Sequence, residues 1–362
     1  MDFSQTEEQK DIQTLANQIL TDQVTVEALH KFDSRDTVRY DGKLWAQLAD
    51  SGLLGITIPA DKGGMGFGLN ELSLFIEECG RTLAPVPVIP TLISAMALQK
   101  FGEQELLGGV ANGEVVLTAA FNEVANEDVF APQTTFSAGK LNGVKQCVPY
   151  AEIATRMLVV ASDAGKAALF LVDPKDKSIE KTALWSTTYE PQHYLKFNNT
   201  PAKKIGGADA VKYLVDHYTL ALCAYQVGAT DKMVAMTAKY TSEREQFGVK
   251  IASFQAVGHR AANCYTDAKC LKLVTQQAVS LLAEGKDASV AINVAKAWCG
   301  DASHRISYAA QHLHGGMGVD RDYPLWRYAL WAKQNELMLG STTYHLEKLG
   351  DAIAAGNYDI EL

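Results

Sequence analysis

Ser242-Glu243-Arg244-Glu245-Gln246-Phe247-Gly248, followed by Phe254-Gln255, and His312-Leu313-His314-Gly315-Gly316-Met317-Gly318, followed by Asp322-Tyr323-Pro324-Leu325-Trp326-Arg327, are the stretches that decide how this chain is read. They sit among long amphipathic segments. Val211, Val215, Tyr218, Leu222 and Tyr225 repeat at intervals of three and four, which is one face of a helix. Ile251–Leu282 and Ala288–Ala310 form two more such segments, with Gly285 between them and Gly315-Gly316 after the second. A last helix is expected from about Leu325 to Ala354. Four long helices in succession predict an antiparallel bundle.

The quoted residues suit a phosphate-bearing ligand. Arg244 offers a planar fork matched to phosphate oxygens. Gly315 and Gly316 let backbone approach a ligand where a Cβ would block it. Taken singly, Arg244 reads as a surface residue paired with Glu243 or Glu245; the Gln246-Phe247-Gly248 sequel and the distant glycine pair favour the ligand. His312 and His314 are two apart with no carboxylate companion, so they predict no metal site.

Outward from the bundle, the pattern changes twice. Thr6 to about Leu107 is helical, with Ser4 or Thr6 as a cap ahead of Glu7 and Glu8. Gly63-Gly64-Met65-Gly66 interrupts it as a breaker-rich loop, and Pro85, Pro87 and Pro90 stop the helix of Leu72–Leu83. Between about Val115 and Asn198, apolar runs at 115–118, 157–160 and 168–172 read as short strands of a small sheet or barrel. Asn142-Gly143 is expected to form a tight turn there.

The balance is that of a globular chain, 47% hydrophobic and 21% charged. With 33 basic against 42 acidic residues the net charge is -9, which disfavours nucleic acid. Cys79, Cys147, Cys223, Cys264, Cys270 and Cys299 are scattered without metal-ligand spacing and read as small apolar residues of a reducing compartment. Neither a targeting segment at Met1–Glu8 nor an apolar run of the ~20 residues a membrane span needs is visible, so a cytoplasmic protein is expected.

The two quoted stretches, with Gly52–Pro59 and Gly63–Gly66, resemble the acyl-CoA dehydrogenase family over essentially the whole chain. The resemblance implies an α+β fold: a helical amino-terminal domain over 1–114, a β domain over 115–205 and a four-helix bundle over 206–362. It also implies FAD-dependent α,β-desaturation of an acyl-CoA thioester, with electrons passing to an acceptor of the electron-transfer flavoprotein type. Arg244, Gln255, Gly315 and Gly316 match family positions that contact the FAD of a neighbouring subunit, and His312 stands where glutamine is usual.

Other family elements are missing. The loop expected to read Thr-Glu-Pro…Gly-Ser-Asp is Thr118-Ala119-Ala120-Phe121-Asn122-Glu123-Val124-Ala125-Asn126-Glu127-Asp128, and Val148-Pro149-Tyr150 replaces a Trp-Ile-Thr that packs on flavin. The two positions from which family members supply the catalytic glutamate hold Leu339, before Gly340-Ser341, and Tyr218. Asp216 and Glu336 are carboxylates about one turn away, roughly 5.4 Å along a helix. The resemblance is therefore to the base-lacking subunit of heteromeric steroid side-chain dehydrogenases, which completes the FAD site of a second acyl-CoA dehydrogenase-like subunit. A self-sufficient homotetramer with a relocated base and a flavin-free acyl-CoA-binding or scaffolding protein are the alternatives.

Overall fold

Thr6 opens the first helix because its hydroxyl accepts from the Gln9 N–H while the Gln9 side chain caps Thr6 in return. A computed structural model of the chain describes residues 3–356; Met1, Asp2 and residues 357–362, at the edges of the expected amino- and carboxy-terminal segments, lie outside them. The amino-terminal helices are α1 (Glu7–Gln23), α2 (Val26–His30), α3 (Gly42–Asp50), α4 (Leu69–Thr82), α5 (Val88–Phe101) and α6 (Leu107–Ala111). Strands follow as β1 (Leu117–Ala120), β2 (Thr135–Ser137), β3 (Lys140–Pro149), β4 (Arg156–Asp163), β5 (Lys166–Val172), β6 (Ile179–Leu184), β7 (Gln192–Pro201) and β8 (Lys203–Gly206). The chain then returns to helix in α7 (Ala208–Glu243), a hairpin of β9 (Glu245–Gln246) and β10 (Val249–Lys250), α8 (Gln255–Ala283), α9 (Ser289–His314), α10 (Leu325–Leu337) and α11 (Thr342–Ala354). Helical segment, mixed sheet and helical bundle thus follow in the expected order.

The chain folds as two compact units. One is made of Met1–Val26, Leu69–Ala84 and Thr219–Leu362, the other of Glu27–Gly68 and Pro85–Tyr218. In the second, the sheet runs β6-β7-β3-β2-β4-β5-β8, with β1 parallel to β4. Met157, Val159 and Ala161 of β4 alternate into a core with Ala168, Phe170 and Val172 of β5 and Leu195 and Phe197 of β7. The tight turn falls not at Asn142-Gly143 but at Ala138-Gly139, both left-handed, between paired Ser137 and Lys140. Asn142 and Gly143 lie inside β3, and a Cβ on Gly143 would stand 2.6 Å from the Thr134 Cα. Close approach of a neighbouring segment, not a turn, requires that glycine. Pro90 falls in the first turn of α5, where its missing N–H has no intrahelical partner to lose.

In the first unit, α4 and α7 touch backbone to backbone. A Cβ on Gly80 would lie 1.8 Å from the Tyr225 carbonyl oxygen, and one on Gly228 would lie 1.8 Å from that of Glu77. Charges gather around the crossing. Arg81 reaches Glu77 at 3.2 Å, Glu78 at 3.1 Å and Asp231 at 3.4 Å. Lys272 of α8 pairs with Glu77 at 2.8 Å, and Gln13 and Asn17 of α1 donate to Glu78. Burial pushes the Glu77 carboxyl up, against the pull of Lys272 and Arg81.

The expected last helix is two helices. Between α10 and α11, Leu339 (φ 56) and Gly340 (φ 103) are left-handed, and the buried Lys296 ammonium donates to the carbonyls of Asn335, Glu336 and Gly340 at 2.9, 3.1 and 2.9 Å. All three of its donors are used on the end of α10 and the turn that follows it. Among the described residues no helix is long and apolar enough to cross a membrane.

An exposed helical Gly→Ala ordinarily stabilises by about 1 kcal/mol. Gly228→Ala should instead cost about 3 kcal/mol, because a methyl cannot share space with the Glu77 carbonyl. Urea denaturation measures both sign and size.

Candidate functional site

Arg244 follows the last residue of α7. Its N–H donates to the Tyr240 carbonyl at 2.9 Å and its own carbonyl accepts from the Ile251 N–H at 2.9 Å, so the β9–β10 hairpin is closed at its root. The Arg244 side chain is exposed, and among the described residues no carboxylate pairs with it. Gln255, the first residue of α8, is exposed as well.

Gly315 and Gly316 end α9. Gly315 has φ 59 and ψ -135, a conformation for glycine alone, and a Cβ on either residue would meet nothing within 4 Å. Their backbone therefore faces open space that a ligand could occupy. His312, exposed, accepts a hydrogen bond from the Arg260 guanidinium at 2.6 Å through Nδ1. His314 is buried and fixes the glycine turn. Its Nδ1–H donates to the Ala310 carbonyl at 2.8 Å, which leaves Nε2 to accept from the Tyr323 hydroxyl at 3.1 Å. Its ring stacks on Tyr240 with centroids 4.4 Å apart. Burial lowers the His314 pKa, consistent with this neutral tautomer. Tyr240 is one turn before Arg244, and Arg260 is five residues past Gln255. The structure therefore brings the two motifs to one end of the bundle through the Tyr240–His314 and Arg260–His312 contacts. Reading the sequence alone assigned His314 no such part.

Tyr218 and Tyr150 are each packed shut within their own unit. Tyr218, 1% exposed, meets Phe121 edge-on with ring centroids 5.1 Å apart, and burial raises its hydroxyl well above the ordinary ~10. Tyr150, which replaces part of the expected Trp-Ile-Thr, is 3% exposed and left-handed (φ 53). The segment after Phe121 folds onto a buried ion pair. Lys145 donates to Glu123 at 2.7 Å and to the Phe121 carbonyl at 3.0 Å, while Glu123 accepts from the N–H groups of Gln133 at 2.6 Å and Thr134 at 2.9 Å. Burial works to raise the Glu123 carboxyl, but the Lys145 charge and these hydrogen bonds outweigh it and hold it at about 2. Burial lowers Lys145 to about 8 against the pull of Glu123, so both groups are charged at neutral pH.

Leu339 is 7% exposed, and its carbonyl meets His345 Nε2 at 2.9 Å. The alternative carboxylates are engaged on their own helices, Asp216 by Lys212 and Glu336 by Lys333. Among the described residues no cluster of three His, Cys, Asp or Glu could hold a metal ion.

Comparison with known proteins bears on the family of the whole chain. A family model described as "Acyl-CoA dehydrogenase, C-terminal domain" matches residues 206–354, and one described as "Acyl-CoA dehydrogenase, N-terminal domain" matches residues 6–114. Acyl-CoA dehydrogenase FadE27 of Mycobacterium tuberculosis is 36% identical over 98% of this chain and 99% of its own length. FadE28 of the same organism is 31% identical over 84% of this chain and 91% of its own. Among solved structures, the Tcur3481-Tcur3483 steroid ACAD G363A variant superposes with a TM-score of 0.93 at 38% identity, covering 97% of this chain and 98% of that one. The ChsE4-ChsE5 complex from Mycobacterium tuberculosis gives a TM-score of 0.92 at 35% identity, covering 98% and 99%.

Glu123→Gln removes the carboxylate and leaves the Lys145 charge buried, which should cost about 3–5 kcal/mol at pH 7 in urea unfolding. Because the Glu123 pKa is depressed on folding, its contribution is present above the ordinary carboxylate range and is lost as pH falls toward about 2. The wild-type and variant stabilities should therefore converge in acid.

Proposed function

Because this chain belongs to the acyl-CoA dehydrogenase family of FAD-dependent oxidoreductases, we propose that it acts as the base-lacking subunit of a heteromeric acyl-CoA dehydrogenase. It lends Arg244, Gln255, His312, Gly315 and Gly316 to the FAD of a second acyl-CoA dehydrogenase-like subunit. One contrast carries this reading. The face with Arg244 and the glycine pair is open, whereas the positions for a catalytic carboxylate hold a buried leucine and a buried tyrosine.

The open face fits the diphosphate end of FAD. The Arg244 guanidinium has no carboxylate partner among the described residues to compete with a phosphate, and the Gly315-Gly316 backbone can lie against a ligand without a Cβ in the way. His312, held by Arg260, adds a polar ring at the same end. When bound, FAD supplies the two-electron acceptor for oxidising the acyl chain between its α and β carbons. Leu339 cannot take a proton, and Tyr218 is held in its neutral form by burial. The base for the α-proton accordingly belongs to the second subunit. This chain's part is to bind and orient the cofactor.

A steroid side-chain acyl-CoA is the substrate class we favour. The support is the resemblance at 38% identity to a chain of a steroid dehydrogenase. An electron-transfer flavoprotein is the acceptor this reading implies.

Arg244→Ala should lower flavin retention by the assembled enzyme about ten- to a hundredfold, the value of a charge-assisted hydrogen bond. The melting temperature of this chain alone should not move, because the backbone bonds of Arg244 survive the change and its side chain pairs with no carboxylate among the described residues. Flavin absorbance per complex after exhaustive dialysis measures the effect, and unchanged occupancy would contradict the assignment.

A further inference from the structure

Helices α8 and α9 share two polar rungs, and they are built differently. At one, Arg305 holds Asp267 through both carboxylate oxygens, at 2.8 and 2.9 Å. Two turns along each helix, half-buried Arg260 meets His312, with the guanidinium 2.6 Å from Nδ1. Asp267 is taken by Arg305, and among the described residues no carboxylate pairs with Arg260. A rung that only joined the helices would be better built with a second acid, because a carboxylate matches the guanidinium fork. An imidazole offers something a carboxylate does not, a second nitrogen of its own.

The rung decides what that nitrogen does. A guanidinium only donates, so His312 Nδ1 accepts and the single proton of the neutral ring sits on Nε2. A second proton on Nδ1 would set donor against donor at 2.6 Å. Nε2–H is therefore a donor, and among the described residues nothing accepts from it. His314, two residues on and buried, is the reverse: Nδ1–H donates to the Ala310 carbonyl and Nε2 accepts from Tyr323. The buried ring spends both nitrogens on the glycine turn. The exposed ring keeps one N–H to spare.

We propose that Arg260 is a positioning residue for the shared cofactor: it fixes His312 in the Nε2–H tautomer and holds its ring, so that Nε2–H is offered to a phosphate oxygen of the second subunit's FAD. The inference rests on the shared-cofactor reading above. Arg260 stands five residues past Gln255 on α8, and His312 stands three before Gly315, so the rung lies among the residues lent to that cofactor. Arg260 acts through His312. A ring ordered before the ligand arrives has little freedom left to lose on binding.

The test is a double-mutant cycle on the assembled enzyme, this chain co-expressed with a base-carrying acyl-CoA dehydrogenase chain. Arg260→Ala should lower the flavin retained after dialysis about two- to tenfold, the cost of ordering one loose side chain. In the His312→Ala background the same change should have no further effect. A loss of equal size in both backgrounds would overturn the proposal, since Arg260 would then act without His312. So would full retention by Arg260→Ala in a complex where Arg244→Ala lowers flavin, a result that discards the positioning residue and keeps the shared cofactor. A colourless wild-type complex would remove both. The tautomer itself is read on the lone chain, without cofactor, by NMR of isotope-labelled histidine, with His312→Ala assigning the signal. The wild type should show the Nε2–H form at His312, and Arg260→Ala a mixture of forms. A wild-type ring in any other form, or a ring that Arg260→Ala leaves unchanged, would overturn the proposal whatever the flavin does.

Discussion

Two helix backbones touch where Gly80 of α4 meets Tyr225 of α7 and Gly228 of α7 meets Glu77 of α4, and neither glycine could carry a side chain there. That approach brings buried Glu77 and Glu78 against Arg81, Asp231 and Lys272, and it joins helices more than a hundred residues apart in sequence. Tyr328 of α10 closes the same region by donating to the Arg81 carbonyl at 2.7 Å. Buried charges of this kind contribute little net stability when paired, yet each is costly to strand. The crossing therefore fixes where the far end of α7 lies, and with it Tyr240 and Arg244.

At that far end the organising contacts are aromatic and short-range. Tyr240 stacks on His314, and His314 sets the glycine turn through a tautomer that its two hydrogen bonds dictate. Other contacts, within each unit, are built for rigidity instead. Lys296 and His345 pin the turn that carries Leu339, and the Lys145–Glu123 pair gathers the segment after Phe121. The backbone at Gly315 and Gly316 is open while the positions matched to a catalytic carboxylate, Leu339 and Tyr218, are buried. This division fits a subunit that completes another's site and does not run its own.

Much of this was legible in residue types and spacing. The order helix, sheet, helix followed from periodicity, and Thr6 from cap chemistry. Arg244, Gln255 and the glycine pair are proposed ligand contacts on motif alone, and the structure adds their placement at one end of the bundle. Features set by distant neighbours were not legible. Gly143 looked like a turn residue, but the Thr134 backbone passing beside it is what excludes a Cβ. The break between α10 and α11 depends on Lys296, more than forty residues upstream. Pro90 read as a stop, although a proline is equally at home in the first turn of the next helix.

The central claim is that this chain completes a flavin site it does not itself contain. A visible absorption spectrum, recorded on the chain purified alone and again after co-expression with a base-carrying acyl-CoA dehydrogenase chain, tests it most directly. The account predicts a colourless lone chain and a yellow complex. Stoichiometric flavin in the lone chain would contradict it, and would place the catalytic carboxylate among the chain's own residues.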